Sequence, residues 1–138
     1  MANARPNLDK TIFDILNVSA VLAKAPGGVH NSIAPDHVSP PYCIFQAISN
    51  VNARTLGKRY SNFILMAKGV SRSPWPKEAA EIDTEIDTLL EAASLTVSGF
   101  THVTGVCIRE EDLYLVEEDA GEIWTHQGGL YRIELEEN

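Results

Sequence analysis

Histidine and cysteine are the residue types in this chain best suited to hold a metal or to attack a substrate. There are four histidines and two cysteines: His30, His37, His102, His126, Cys43 and Cys107. Their order shows no spacing of the His-Glu-x-x-His or Cys-x-x-Cys kind, which sets two ligands on one side of a metal. Each cysteine lies inside an apolar, strand-like segment, so we expect two buried free thiols rather than a zinc site or a disulfide.

Two acidic clusters and two glycine pairs are the remaining candidates for chemistry. The clusters at residues 110–112 and 117–119 do not match the Asp-x-Asp-x-Asp-Gly pattern of a calcium loop, and neighbouring strand residues point to opposite faces. Gly27-Gly28 and Gly128-Gly129 lack the strand, turn and helix context of a phosphate loop, and the second pair indicates a bulge. We therefore predict no catalytic residue, no metal site and no bound cofactor.

Composition excludes further classes of protein. The 138 residues include no run approaching the ~20 apolar residues that span a bilayer, so we expect no membrane association. Residues 1–6 are polar and do not resemble a signal peptide, which argues against secretion. The formal charge is −8 and Lys58-Arg59 is the main cationic pair, so tight nucleic-acid binding is disfavoured. An acidic surface would keep DNA from sticking in a channel, or would simply keep the protein soluble.

Hydrophobic periodicity predicts an α+β order of elements. We predict a helix over residues 7–25 capped by Asn7, strands 29–33, 42–49 and 59–70, a helix from about 73 to 94 with Ser73 near its start, and strands 100–109, 113–118 and 123–134. Turns are predicted at 110–112 and 119–121, and a polar loop at 34–41. The resulting layout is an antiparallel β-sheet with two α-helices packed on one face, forming a single domain over residues 1–138.

Two surfaces of this layout need a partner or solvent. The helix 73–94 has no base after Lys77, so no i,i+4 ion pairs relieve its acidic face, which must meet a partner, a channel or solvent. Its acidic residues are Glu81, Asp83, Glu85, Asp87 and Glu91. Residues 50–58 show no periodicity and are interpreted as a long hairpin loop, a kind of segment that is often functional. Trp75 and Trp124 are large apolar groups next to turn residues and suit either an interface or the edge of the core.

Several local strings of the sequence carry a resemblance to a known family. They are Val-His-Asn-Ser-Ile-Ala-Pro at 29–35, Pro-Tyr-Cys-Ile-Phe-Gln-Ala-Ile-Ser at 41–49, Asn-Phe-Ile-Leu-Met-Ala at 62–67 before the helical segment 78–90, and Gly-Leu-Tyr-Arg-Ile-Glu-Leu at 129–135. Together they resemble the phage tail completion family, also described as tail terminator or head-tail joining proteins. The resemblance extends over nearly the whole chain, although residues 115–124 are longer and more acidic than the family pattern.

The resemblance implies a non-enzymatic virion protein. It implies that copies of the chain form a homo-oligomeric, hexameric ring. The ring caps the tail tube protein, ends its polymerisation and joins the tube to the connector and stopper proteins of the capsid. DNA would pass through the ring without tight binding, and the protein would assemble in the host cytoplasm and reside in the tail or neck of the virion. The interface candidates are Arg54, Lys58, Arg59, Trp75 and Trp124. The alternative for the hairpin is a disordered tip that contacts nothing.

Two alternatives stay open at the level of sequence. A head-closure or adaptor subunit of the same connector would share the resemblance. A protein of a different class, a small cytosolic α+β enzyme or ligand-binding domain, would need a pocket between sheet and helices. Tyr60, His102 and Glu110 are the polar residues that could serve such a pocket.

Overall fold

A computed structural model describes residues 3–138; Met1 and Ala2, the first two residues of the predicted 1–138 domain, lie outside the described residues. The described elements are α1 (Arg5–Leu16), α2 (Ser19–Lys24), β1 (Val29–Asn31), β2 (Tyr42–Thr55), β3 (Lys58–Ser71), α3 (Lys77–Ala92), β4 (Phe100–His102), β5 (Ile108–Asp119) and β6 (Glu122–Glu137). The α+β class is confirmed. Among these residues, no helix is long and apolar enough to cross a membrane.

One mostly antiparallel sheet organises the fold. Its strand order is β1-β2-β3-β6-β4, and β5 also pairs with β6. β4 and β5 lie one after the other along the same edge of β6, opposite residues 135–137 and 122–132 respectively. The exception to the antiparallel pattern is β1, which runs parallel to β2 and places Val29 opposite Cys43.

The hydrophobic core lies between the helices and one face of the sheet. Alternate residues of the two central strands are buried on this face, because successive side chains of a strand point to opposite sides. They are Phe63, Leu65 and Ala67 on β3 and Tyr131, Ile133 and Leu135 on β6, and they meet Leu8, Ile12 and Leu16 of α1 and Ile82, Ile86 and Leu90 of α3. Gly69 lets α3 approach closely, since a Cβ there would lie 2.6 Å from the Cβ of Ile82.

The prediction of one continuous helix over residues 7–25 is wrong. The chain breaks at Asn17 and Val18, and Val18 is extended at φ −127° and ψ 162°. Asparagine and a β-branched valine are both weak helix formers. Residues 3–138 therefore contain three helices rather than two. Asn7 does not cap α1, which begins at Arg5 with no side-chain cap.

The predicted 50–58 loop is also wrong, because both strands continue through it. β2 and β3 pair from Thr55 and Lys58 inward, with a register shift between Ala47 and Ser49. The turn contains only Leu56 and Gly57, and Gly57 adopts φ 79°, which glycine tolerates without strain. This hairpin is exposed on both faces, so its side chains do not alternate between apolar and polar as those of a half-buried strand do.

The C-terminal strands differ from the prediction in three places. The strand at 100–109 is shortened to β4, and the predicted turn at 110–112 is instead a shift of register between Arg109 and Glu111 inside β5. The turn at 119–121 is confirmed, with Ala120 and Gly121 both at positive φ. The Gly128-Gly129 pair is not a bulge, since β6 keeps an unbroken register with β3 there.

The predicted start of the second long helix is early by one turn. α3 begins at Lys77 after Pro76, and Ser73 does not cap it. The Ser73 hydroxyl instead accepts a hydrogen bond from the Trp75 backbone N–H at 3.2 Å, which shapes the loop before the helix. The apolar stripe of α3 nevertheless faces the core as its periodicity predicts.

Candidate functional site

The structure brings three of the predicted interface residues together at the tip of the β2–β3 hairpin. Arg54 lies directly opposite Arg59, so both side chains leave the same face of the hairpin, and Lys58 follows the turn. Lys58 Nζ lies 2.9 Å from Glu136 Oε1 of β6, which raises the pKa of the lysine. Within residues 3–138, neither arginine has a carboxylate within ion-pair distance. The hairpin tip is thus an exposed cationic surface with two uncommitted guanidinium groups.

A shallow depression of about 430 Å³ lies beside these cations. Its lining also includes Thr55, Gly57 and the last two residues of the chain, Glu137 and Asn138. The depression is open and polar rather than enclosed and apolar, so it lacks the desolvated walls that hold a small molecule. A surface of this shape is better suited to contact with another protein.

The two tryptophans lie at the opposite end of the sheet from this hairpin. β3 has 14 residues from Lys58 to Ser71, so the two ends are separated by about 40 Å. Trp75 precedes α3 and is 74% exposed. The structure therefore divides the five predicted interface residues between two distant surfaces.

Trp124 is already engaged within the chain. The Arg72 guanidinium lies 5.0 Å from the centre of its ring and 3.3 Å from the Glu122 carboxylate. The neighbouring Thr125 hydroxyl is buried and donates to the Ser73 carbonyl at 2.7 Å. These contacts hold the loop before α3 against the start of β6. Trp75 is consequently the better candidate for an external contact at this end.

A buried polar cluster that the sequence did not reveal joins α3 to the sheet. The Arg109 guanidinium donates to both oxygens of Asp83, at 2.8 and 3.1 Å, and to the Tyr131 hydroxyl at 3.1 Å. Tyr131 in turn donates to Asp87 at 2.8 Å. A two-pronged arginine–carboxylate contact of this kind is strong and directional. We refer to Arg109, Asp83, Asp87 and Tyr131 as the arginine clamp.

Gly129 makes room for the arginine clamp. A Cβ at this position would lie 2.7 Å from Arg109 Nε, so any larger residue displaces the guanidinium. The hydrogen bond to Asp83 raises the pKa of Arg109, and burial raises the pKa of Tyr131. Arginine therefore stays charged and tyrosine stays neutral at every physiological pH. The clamp has no open position for a substrate and serves to fix the helix on the sheet.

The clamp corrects the prediction that the acidic face of the second long helix meets only a partner, a channel or solvent. Asp83 and Asp87 are satisfied from β5 by Arg109, and Glu81 lies 3.8 Å from Lys24 of α2. Sequence reasoning missed this because Arg109 and Asp83 are 26 positions apart. The available signal was two aspartates at i,i+4 spacing on a helix that has no base after Lys77.

A second polar group lies on the sheet face away from the helices. His126 Nε2 is 2.5 Å from Glu117 Oε1, while its Nδ1 is buried without a partner in the described chain. Burial lowers the pKa of His126, and the nearby charge of Lys68 lowers it further. Burial also lowers the pKa of Lys68. The group therefore combines an imidazole, a carboxylate and an amine on one face of the sheet.

The remaining residues singled out for chemistry do not converge. His102 faces the helices and accepts a hydrogen bond from the Leu95 N–H at 3.1 Å, whereas Glu110 lies 3.4 Å from Arg132, and Tyr60 points to the other face. Cys43 and Cys107 are buried free thiols, and burial raises the pKa of each to about 12. Among residues 3–138, no group of three or more metal-binding side chains occurs.

Comparison with known proteins relates the fold to a virus-like particle. No protein-family model and no curated protein matches the sequence. The structure is similar to a chain of a solved structure described as "Virion of native gene transfer agent (GTA) particle", with a TM-score of 0.79 and 12% sequence identity. The alignment covers 97% of this chain and 99% of that chain. At this identity the similarity establishes a shared fold.

Proposed function

We propose that this chain is a structural subunit of a phage-like virion and has no catalytic role. The observation that carries the proposal is the end-to-end similarity to a chain of the gene transfer agent virion, in which the alignment covers 97% of this chain and 99% of that chain. A fold alone does not define a function, so the site must agree with it. Here the unpaired arginines of the β2–β3 tip and the exposed Trp75 lie on surfaces at the two ends of the sheet, which suits contact with other proteins.

The more specific role that we propose is that of a tail terminator. Copies of the chain form a ring, hexameric by the family resemblance, that caps the tail tube protein and meets the connector and stopper proteins of the capsid. Sequence strings at 29–35, 41–49 and 129–135 support this role, and they form β1, β2 and the end of β6. The net charge of −8 suits a ring that DNA crosses without binding tightly.

Deletion of the gene that encodes this chain tests the terminator role. Electron microscopy of the resulting lysate measures the lengths of the tails and the fraction of tails joined to capsids. A terminator predicts tails of uncontrolled length that stay unjoined, and restoration of both by the wild-type gene. Tails of normal length that fail to join would instead indicate a head-closure or adaptor subunit, and normal, joined particles would refute the proposal.

A further inference from the structure

The outer edge of β5 is an exposed strand with an apolar centre. In the described part of the chain, β5 pairs only with β6, so one row of its backbone N–H and C=O groups has no strand partner. Tyr114, Leu115 and Val116 in its middle are 57%, 47% and 46% exposed. An edge of this length usually pairs with another chain unless charges protect it. Here acidic residues flank the apolar centre on both sides: Glu110, Glu111, Asp112, Glu117, Glu118 and Asp119.

The β2–β3 hairpin has the complementary chemistry. Residues 42–71 contain no aspartate or glutamate, and its tip carries the cations Arg54, Lys58 and Arg59. Val51 and Leu56 near the tip are 63% and fully exposed. β1 covers the outer edge of β2 only as far as Phe45, so the rest of that edge is open among the described residues. The hairpin thus offers positive charge, apolar surface and unpaired backbone together.

The two surfaces lie on opposite edges and at opposite ends of one sheet. β2 is antiparallel to β3, β3 to β6, and β6 to β5, so β2 and β5 run in opposite directions. A neighbouring copy in the same orientation, displaced sideways and along the strands, therefore presents its β2 antiparallel to β5, with its hairpin tip beside that edge. Because the two surfaces do not overlap, every copy can use both at once, and such a head-to-tail contact closes into a ring when the rotation permits.

We propose that the β2–β3 hairpin of one copy docks on the β5 edge of the next copy, cationic tip against acidic strand. The proposal rests on the ring that the proposed function includes, and it names the two surfaces that form the ring. Opposite charge fixes which surfaces meet, because hairpin-to-hairpin and β5-to-β5 contacts bring like charges together. The exposed apolar residues at both surfaces then become buried.

Charge reversal tests this contact in the isolated full-length chain. The hairpin variant is Arg54→Glu with Arg59→Glu, and the edge variant is Glu111→Lys with Glu118→Lys; none of these four residues has an ion-pair partner within residues 3–138. Sedimentation velocity over a range of protein concentrations measures association. We expect concentration-dependent assembly of the wild type, and about tenfold or greater weakening in each variant.

Restoration distinguishes a specific contact from a general effect of net charge. Of the charged groups at the two surfaces that have no ion-pair partner within residues 3–138, the hairpin variant reverses both Arg54 and Arg59, and the edge variant reverses Glu111 and Glu118 and keeps only Asp119. In an equimolar mixture the two variants can alternate so that these groups have opposite net charge at every junction, and we expect assembly to return. The matched control is Lys10→Glu with Lys77→Glu, which changes the net charge as the hairpin variant does but on helices, and we expect it to assemble as the wild type does.

Two results would overturn the inference. One is a wild-type chain that stays monomeric at every concentration in low salt. The other is that both charge-reversal variants assemble as the wild type does, which would mean that the ring is built from other surfaces. Neither result affects the tail phenotype of the gene deletion, so failure of this contact and failure of the virion role are distinguishable.

Discussion

The packed centre of the molecule, where α3 meets the sheet, and the exposed tip of the β2–β3 hairpin use similar polar residues in opposite ways. At the centre, Arg109 is held by Asp83 in a mostly buried setting and fixes α3 to the sheet. At the β2–β3 tip, Arg54 is exposed and Arg59 is half-buried, and neither has an ion-pair partner in the described chain. The comparison indicates that the centre of the molecule stabilises the subunit, whereas its ends are available for association. The predictions below test this division.

Removal of the central arginine should have the largest effect on stability. Arg109→Met leaves Asp83 and Asp87 with uncompensated charge against the core, which costs about 3–5 kcal/mol when a buried pair loses one partner. Urea unfolding monitored by circular dichroism measures the free energy. A loss below about 1 kcal/mol would show that the clamp is solvated and contributes little.

Crowding of the same arginine should have an intermediate effect. Gly129→Ala puts a methyl group within 2.7 Å of Arg109 Nε, and we expect a loss of about 1–3 kcal/mol through the displaced guanidinium. In the Arg109→Met background the same substitution should cost less, because the clash is gone. Equal costs in the two backgrounds would contradict the close contact.

Acidification should weaken the fold through two histidines. Burial lowers the pKa of His102 and of His126 in the folded state, so the unfolded chain binds more protons as pH falls. Stability is therefore complete above the ordinary histidine pKa of about 6.5 and decreases as pH falls toward the lowered values. His102→Asn, which keeps an acceptor for the Leu95 N–H, should flatten this dependence in unfolding measurements made from neutral to mildly acidic pH. An unchanged slope would rule out His102 as a contributor.

Truncation of the hairpin arginines should have the smallest effect on stability. Arg54→Ala with Arg59→Ala should change the free energy of unfolding by no more than about 0.5 kcal/mol, because exposed side chains away from packed regions contribute little. The same variant should associate less than the wild type in sedimentation. A large loss of stability would contradict the division between a centre that stabilises the subunit and ends that are available for association.

Sequence reasoning succeeded where one face of an element is buried. Ile82, Ile86 and Leu90 recur at helical spacing because that face of α3 packs on the sheet, and Phe63 and Leu65 alternate because β3 is covered on one side. The outer part of the β2–β3 hairpin, residues 50–58, was missed for the opposite reason. Its side chains are exposed on both faces, so backbone pairing alone holds it and leaves no periodic pattern.

The candidate site was only partly predictable. The cations at 54, 58 and 59 were identified from composition, but their position at the tip of a paired hairpin depends on the ladder between β2 and β3. The arginine clamp depends on β5 lying beside α3, a long-range arrangement that no local spacing encodes. Trp124 looked like Trp75 in the sequence, and only the tertiary contact with Arg72 separates the two.

Location of the protein in purified particles tests the central claim most directly. The chain can be labelled with gold through a tag inserted between Asp36 and His37, in an exposed turn outside both proposed docking surfaces, and the particles imaged by electron microscopy. We predict label at one position only, the junction between tail and capsid. The particles are to come from cells in which the tagged chain replaces the wild type. Complete, functional particles that carry no label would contradict a structural role in the virion.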